Sequence, residues 1–401
     1  MPKIKLLYDV EQLSVDGLKG TGIVRVCDVL LHKFLTSDDI DLYPVITTKR
    51  GNFKTYLKAK GLEKLADKTV YLPTLKATTK NQNFYQRGRT RLFTALLGWK
   101  YASVLRQYDA YFSPFSPISP VIYNSPLKTF LMVYDLIPII YPDGCEPKFI
   151  RKFTDWILRS RPDAYFCDSV STENDLRRFC KRSNQKIYQV PLGADSKFHP
   201  VREKAEINKI KEKYGIATPK YFLAVSEITA RKNLVHLLQA FAEFLDKSGA
   251  DDVSLVLVGP VRKGYEDVEK QAAGLARYKD KIIQTGFADD ADLAPLYSGA
   301  EAFIYPSLYE GFGLPVLEAM QCGTPVICAD NTSLPEVGGE AVMYISGHDV
   351  TETAQKLQEL YQNKKSAAEL KEKGLARAAT FSWQQTADII IQAVKENIGR
   401  K

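Results

Sequence analysis

The sequence predicts an α/β protein of two domains, each a parallel sheet flanked by helices. Short apolar runs of strand length alternate with amphipathic stretches along the chain, and several runs end in glycine-containing loops that open a helix. With 401 residues and 45% hydrophobic content, the chain has enough apolar mass for two cores.

In the first half, residues 4–10 (IKLLYDV) make a first strand, residues 20–34 a glycine loop feeding an amphipathic helix, and residues 41–46 (DLYPVI) a second strand. Further strands are read at 110–112, 129–133, 164–167 and 186–190, and the helical patterns between them imply a parallel sheet. Gly20 and Gly22 lie between a strand and a helix start. Backbone N–H groups there either face an anion or make a plain tight turn. Residues 192–219 read as a charged connection to the second half.

The second half opens with a continuous apolar strand at 221–225 (YFLAV) and a polar loop at 226–230. Arg231 and Lys232 follow, immediately before a helix that begins LVHLLQAF at position 234. Two cations at the C-terminal end of a strand, beside a helix start, suit a diphosphate. A basic pair in that position also serves as ordinary solvated surface. Further on, residues 303–306 end a buried strand, Gly311 and Gly313 let the backbone approach a ligand, and Pro315 suits the first helical turn. Free N–H groups at that helix start would face an anion. Val316, Leu317, Met320 and Cys322 supply the apolar face, Gly323 stops the helix, and 324–328 (TPVIC) begin the next strand. Glu310 falls in the loop and Glu318 on the helix, so one carboxylate can hold a sugar and the other a ribose. The alternative is a pair of carboxylates that cap a helix and face water.

The segments SEITARKN (226–233), VLVGP (256–260), TGF (285–287), YPSLYEGFGLPVLEAMQCGTPV (305–326) and SLPEV (333–337) together resemble the retaining glycosyltransferases of family 4. The resemblance covers about residues 185–385. It implies the GT-B fold: two Rossmann-like domains facing a cleft, with a C-terminal helix crossing back to the first domain. On that pattern residues 1–200 bind the acceptor, 201–382 bind the nucleotide sugar, and 383–401 form the crossover helix. The resemblance assigns catalysis to Arg231, Lys232 and Glu310, and donor binding to Gly22, Gly259, Gly286, Phe287, Gly311, Phe312, Gly313, Leu314 and Glu318. Tyr134 and Asp135 fall near the sugar or the acceptor.

Two positions depart from the family. Residues 133–138 (VYDLIP) place Tyr134 where many relatives carry histidine, and a phenol with an ordinary pKa of ~10 donates a hydrogen bond but is no base at neutral pH. Glu227 stands where many relatives have an extra cation. Asp135 either holds a sugar hydroxyl or the acceptor, or satisfies loop N–H groups.

The resemblance further implies transfer with retention, no cofactor and no metal, with a nucleotide-diphosphate sugar as donor. The segments around Gly22 and Tyr134 resemble the branch of mannosyl- and rhamnosyltransferases in bacterial O-antigen assembly. GDP-mannose is the first donor expected, and a lipid-linked or polysaccharide acceptor. Lys232→Ala and Glu310→Gln are each expected to abolish transfer with thermal stability nearly intact. A nucleotide-sugar epimerase on the same architecture, or a basic nucleic-acid-binding protein, would be the other readings; no nucleic-acid motif is present.

Composition fits these expectations. No apolar run approaches the ~20 residues of a membrane span, and the first residues are charged too early for a signal peptide, so a cytoplasmic protein is expected. Six cysteines and four histidines are scattered without metal-ligand spacing, and the cysteines read as reduced core residues. The pairs Asp39/Asp41 and Asp290/Asp292 lie at a strand start and a helix start, where carboxylates have structural uses. Residues 1–200 hold 31 Lys/Arg against 19 Asp/Glu, while 201–401 hold 24 against 28. The basic, aromatic segment 84–99 (FYQRGRTRLFTALLGW) either rests on anionic lipid headgroups or is a solvated helix face. Peripheral contact with the inner face of the membrane is the expectation.

Overall fold

A computed structural model describes residues 2–16, 22–47, 52–72, 100–142, 145–181, 184–260 and 265–399. The segment 84–99, with Gly20, lies outside them. The described residues form two parallel sheets. The first contains β1 (Ile4–Asp9), β2 (Ile40–Ile46), β3 (Val70–Tyr71), β4 (Ala110–Ser113), β5 (Lys128–Val133), β6 (Ala164–Cys167) and β7 (Ile187–Gln189), in the order 3-2-1-4-5-6-7. The second contains β8 (Lys220–Val225), β9 (Val253–Val258), β10 (Ile282–Gly286), β11 (Ala302–Tyr305), β12 (Val326–Ala329) and β13 (Met343–Ile345), in the order 10-9-8-11-12-13.

Both orders reverse once, between β1 and β4 and between β8 and β11. The loops leaving the two strands at such a reversal run to opposite faces of the sheet and open a crevice at the strands' C-terminal ends. The central strands are apolar runs buried on both sides, such as Val253–Val258 and Ala164–Cys167, as a sheet covered by helices on each face requires. Phe130 stacks on Phe166 across β5 and β6 with ring centroids 5.8 Å apart.

The C-terminal helix Trp383–Asn397 returns to the first domain. Thr386 Oγ1 donates to the Pro191 carbonyl at 2.7 Å, Lys186 Nζ to Asn397 Oδ1 at 2.9 Å, and Lys395 pairs with Asp39 at 2.7 Å. Gly193 lies against this crossover so closely that a Cβ there would overlap the Trp383 backbone. One element differs from the sequence reading: within the charged connection, Lys204–Lys213 is a helix. It buries mainly Ile210, so its apolar signal is faint, and it is held by Lys213 Nζ and Tyr214 Oη on Asp292 at 2.5 and 2.6 Å.

The two domains touch across the cleft through specific polar contacts. The helix Val170–Cys180 points its first N–H groups at Glu336 of the second domain, with Val170 N and Ser171 N donating to the two carboxylate oxygens at 2.7 and 2.8 Å. A carboxylate in that position meets the positive end of the helix dipole. Ser169 Oγ donates to the Gly311 carbonyl at 2.6 Å, and Thr172 Oγ1 donates to the Tyr134 and Gly311 carbonyls at 3.0 and 3.2 Å.

All six cysteines are free thiols, five of them buried. Among the described residues no helix is long and apolar enough to cross a membrane. The acidic pairs singled out in the sequence are engaged by cations: Asp41 by Lys68 at 2.6 Å, Asp39 by Lys395, Asp290 by Lys197, and Asp292 by Lys213.

Candidate active site

The reversal point of the second sheet brings Arg231, Lys232 and Glu310 together. β8 ends at Val225, and its loop returns through a short 3-10 turn, Ala230–Lys232, before the helix Leu234–Ser248. Asn233, left-handed at φ 57°, joins the turn to the helix and donates from Nδ2 to the Gly347 carbonyl at 2.8 Å. β11 ends at Tyr305 and sends its loop over the same crevice to Gly313, where the helix Leu314–Gln321 begins.

Glu310 Oε1 accepts from Arg231 Nη1 at 2.7 Å and from Lys232 Nζ at 2.5 Å, with Ser307 Oγ as a third donor. Lys232 Nζ also meets Tyr305 Oη at 2.5 Å and lies 4.7 Å from the Tyr305 ring centre. Lys232 and Glu310 are each only 8% exposed. Burial works against ionisation of Glu310, but Lys232 and Arg231 outweigh it and pull the pKa down to about 2. The carboxylate is therefore charged at neutral pH and acts only as an acceptor. Two cations against one carboxylate leave the cluster one positive charge in excess. Glu227, exposed at the start of the same loop, adds a negative field toward Lys232 in place of an extra cation.

The start of the Leu314–Gln321 helix has no side-chain cap, and its N-cap Gly313 is left-handed at φ 111°. A Cβ at Gly313 would press on Leu334 Cδ2 at 2.8 Å. Gly22, the first residue of the helix Gly22–Leu35, faces this start from the first domain, with the Leu314 side chain 4.0 Å from where its Cβ would be. Two helix N-termini thus converge on the cleft, and each favours an anion.

Glu318 is 5% exposed and is held by a residue that the sequence reading missed. Arg25, on the Gly22–Leu35 helix, crosses the cleft and pairs with Glu318 Oε1, while Tyr297 Oη donates to Oε2 at 3.3 Å. Arg25 follows Gly22 by three residues, which puts it on the first helical turn beside the cleft; that spacing was the available signal. Ser307, three residues before Glu310, and Glu336, inside the SLPEV segment, were likewise legible only once the cleft was assembled.

The remaining candidates take varied positions. Gly311 packs on the first domain so tightly that a Cβ would overlap the Tyr134 carbonyl and lie 2.9 Å from Asp135 Cβ. Phe312 is buried against Phe381, centroids 5.9 Å apart. Gly259, at φ 141°, allows the β9 end to pass the Ser226 carbonyl, which a Cβ would overlap, and its N–H donates to the Gly286 carbonyl at 2.8 Å. Gly286 is left-handed at φ 70°, and the following Phe287 is 68% exposed. Tyr134 is buried beside Phe115 with its hydroxyl near the Cys27 thiol, and burial raises its phenol pKa well above the ordinary value. Asp135 Oδ1 accepts from Ile137 N at 2.8 Å, so it does satisfy a loop N–H; burial raises its pKa, and Arg231 and Lys232 act on it from across the cleft.

Comparison with known proteins agrees with this geometry. Residues 206–377 match the family described as glycosyl transferases group 1. The chain is 30% identical over 274 residues to the serotype-specific mannosyltransferase WbdA of Escherichia coli, covering 67% of this chain and 33% of that protein. It is 35% identical over 225 residues to the O-antigen chain mannosyltransferase B of Escherichia coli, covering 56% of this chain and 58% of that protein. The matched region thus spans between a third and three fifths of these relatives' own length. The crystal structure of Anabaena Alr3699/HepE in complex with UDP and glucose superimposes with a TM-score of 0.69 at 17% identity, over 98% of this chain and 100% of that one. WaaG, a glycosyltransferase involved in lipopolysaccharide biosynthesis, superimposes with a TM-score of 0.65 at 12% identity, over 98% and 99%. Residues 206–377 thus form a group 1 glycosyl transferase domain, within a chain built on the GT-B fold.

Proposed function

We propose that this protein transfers a hexose or deoxyhexose, mannose first, from a nucleotide-diphosphate sugar to a lipid-linked or polysaccharide acceptor, with retention at the anomeric carbon and without a metal. The observation that carries the reading is the convergence of Arg231, Lys232 and the uncapped Leu314 helix start at the reversal point of the second sheet. Cations and backbone N–H groups fixed in a site of low water content stabilise charge as it develops, at no cost in reorganisation.

The donor's β-phosphate gains negative charge as the bond from anomeric carbon to phosphate oxygen breaks. The acceptor hydroxyl oxygen bonds to the same carbon on the same face, and its proton passes to the leaving phosphate. Glu310 offsets part of the charge of the two cations. A diphosphate competes for them, and the ionised Glu310 then accepts from sugar hydroxyls, while Glu318 accepts from the ribose. Because Lys232 and Glu310 are buried in the closed cleft, donor entry requires the domains to part and close again.

The mannosyltransferase relatives support mannose and a polysaccharide acceptor. Peripheral attachment at the inner face of the membrane is supported by the basic first half and by exposed Lys148, Arg151, Lys152 and Arg159 on the helix Pro147–Arg159. The test is incubation with a panel of nucleotide sugars. Release of a nucleoside diphosphate, foremost GDP from GDP-mannose and undiminished by a chelator, is expected, with an α-linked product from an α-linked donor. No release from any member of the panel would remove the reading.

A further inference from the structure

Arg25 is the feature of the cleft that the reading above leaves without a task. It belongs to the first domain, yet its partly buried guanidinium lies against Glu318 of the second, over the Phe198 ring at 5.6 Å. An arginine bridging two domains at a buried carboxylate is costly to desolvate, and such a pair is a weak source of stability in itself. Its position points elsewhere. An ionised carboxylate offers roughly four acceptor positions. Arg25 takes one on Oε1 and Tyr297 one on Oε2, which leaves two for the neighbouring hydroxyls of one ribose.

We propose that Arg25 is a positioning residue for the donor: its guanidinium fixes the Glu318 carboxylate from the opposite wall so that Glu318 accepts from both ribose hydroxyls of a nucleoside diphosphate. The proposal rests on Glu318 being the ribose ligand, as read above. It makes ribose recognition a property of the closed, two-domain state, because the residue that sets Glu318 comes from the opposite wall.

The surroundings of Glu318 leave Arg25 as its main support. Burial raises the Glu318 pKa, and Arg25 opposes this most strongly, followed by Lys197 from the interdomain segment. Tyr297 on the helix Asp290–Ser298, Tyr305 on β11 and Cys322 at the end of its own helix are neutral at pH 7 and cannot replace the charge. Burial works against the Arg25 charge, and Glu318, Asp290 and Asp195 outweigh it. Removing Arg25 takes away the strongest of the interactions that offset burial, and shifts protonation of the carboxyl, with its loss of acceptor capacity, toward neutral pH.

The experiment measures binding of GDP, UDP and their 2′-deoxy counterparts from pH 6 to 8.5 by calorimetry, for the wild type, Arg25→Gln, Arg25→Lys and Glu318→Gln. The wild type is expected to prefer the ribose form of its nucleotide by about tenfold at every pH, since a lost buried hydrogen bond to a charged group is worth about that factor. Arg25→Gln is expected to lose the preference at pH 6 and regain it as pH rises, because its Glu318 ionises only at higher pH. Arg25→Lys should keep most of it, and Glu318→Gln should lack it throughout. Near-native melting of Arg25→Lys separates this effect from misfolding. A ribose preference in Arg25→Gln that matches the wild type across the range overturns the proposal. A wild type that binds diphosphates without ribose preference overturns it as well and leaves the diphosphate site standing, whereas a wild type that binds none of the nucleotides overturns both.

Discussion

Lys232 and Glu310 form a buried ion pair, Nζ to Oε1 at 2.5 Å, and Arg231 shares the same carboxylate at 2.7 Å. The pair joins the C-terminal loops of two adjacent parallel strands, β8 and β11, that are distant in sequence. The cluster is thus a fastening between loops and, on the proposed function, the diphosphate site as well.

That double role revises the expectation that Lys232→Ala would leave stability nearly intact. Removing one partner of a buried pair costs about 3–5 kcal/mol, and the low end applies because Arg231 still neutralises Glu310. Lys232→Ala should lower transfer by at least about 100-fold, the usual loss when one stabilising donor is removed. It should also lower the melting temperature by several degrees, read by calorimetry beside the kinetics.

Acid should weaken the fold partly through Glu310. Its folded pKa of about 2 lies below its ordinary 4.5, so its contribution is fully present above pH 4.5 and is lost as pH falls toward 2. Denaturation curves at pH 6, 4 and 3 should therefore show a smaller loss for Glu310→Gln than for the wild type. Equal losses would mean that the carboxylate is not held ionised by its two cations.

A single methyl group at Gly311 should hold the domains apart. The added Cβ would overlap the Tyr134 carbonyl, and backbone on both sides leaves no flexible end to yield. Misplacement of about 1 Å in such a site can cost about 100-fold. Gly311→Ala should lose about that much in kcat/KM, and its radius of gyration in solution should exceed that of the wild type.

Glu336→Ala should loosen closure from the far side of the cleft. It removes the acceptor of two N–H groups at the start of the Val170–Cys180 helix, a loss of about 1–2 kcal/mol. Hydrogen exchange at Val170 and Ser171 should accelerate while the second-domain core stays protected. Unchanged protection there would show that the cap is made by other groups.

Much of this was legible in the sequence, for identifiable reasons. Residues 221–224, 164–167 and 130–133 are apolar throughout, and only a strand buried on both faces places every residue of such a run inside. Arg231, Lys232, Glu310 and Glu318 were legible because each lies within a few residues of a strand end or helix start, so local geometry alone puts them at one edge of one sheet. Arg25, Glu336 and the Ser169 and Thr172 contacts were not, since their partners are on the other domain and no local period encodes a cleft. The Lys204–Lys213 helix escaped notice because it buries so little. The close packing of Gly311 and Gly259 also became visible only with the backbone they approach.

The most direct test of the central claim is the structure of the protein crystallised with the nucleoside diphosphate it releases from its donor. The account predicts the β-phosphate within hydrogen-bond distance of Arg231, Lys232 and the N–H groups at Gly313 and Leu314, with the ribose on Glu318. A diphosphate bound elsewhere, with the Arg231, Lys232 and Glu310 cluster unchanged, would contradict it.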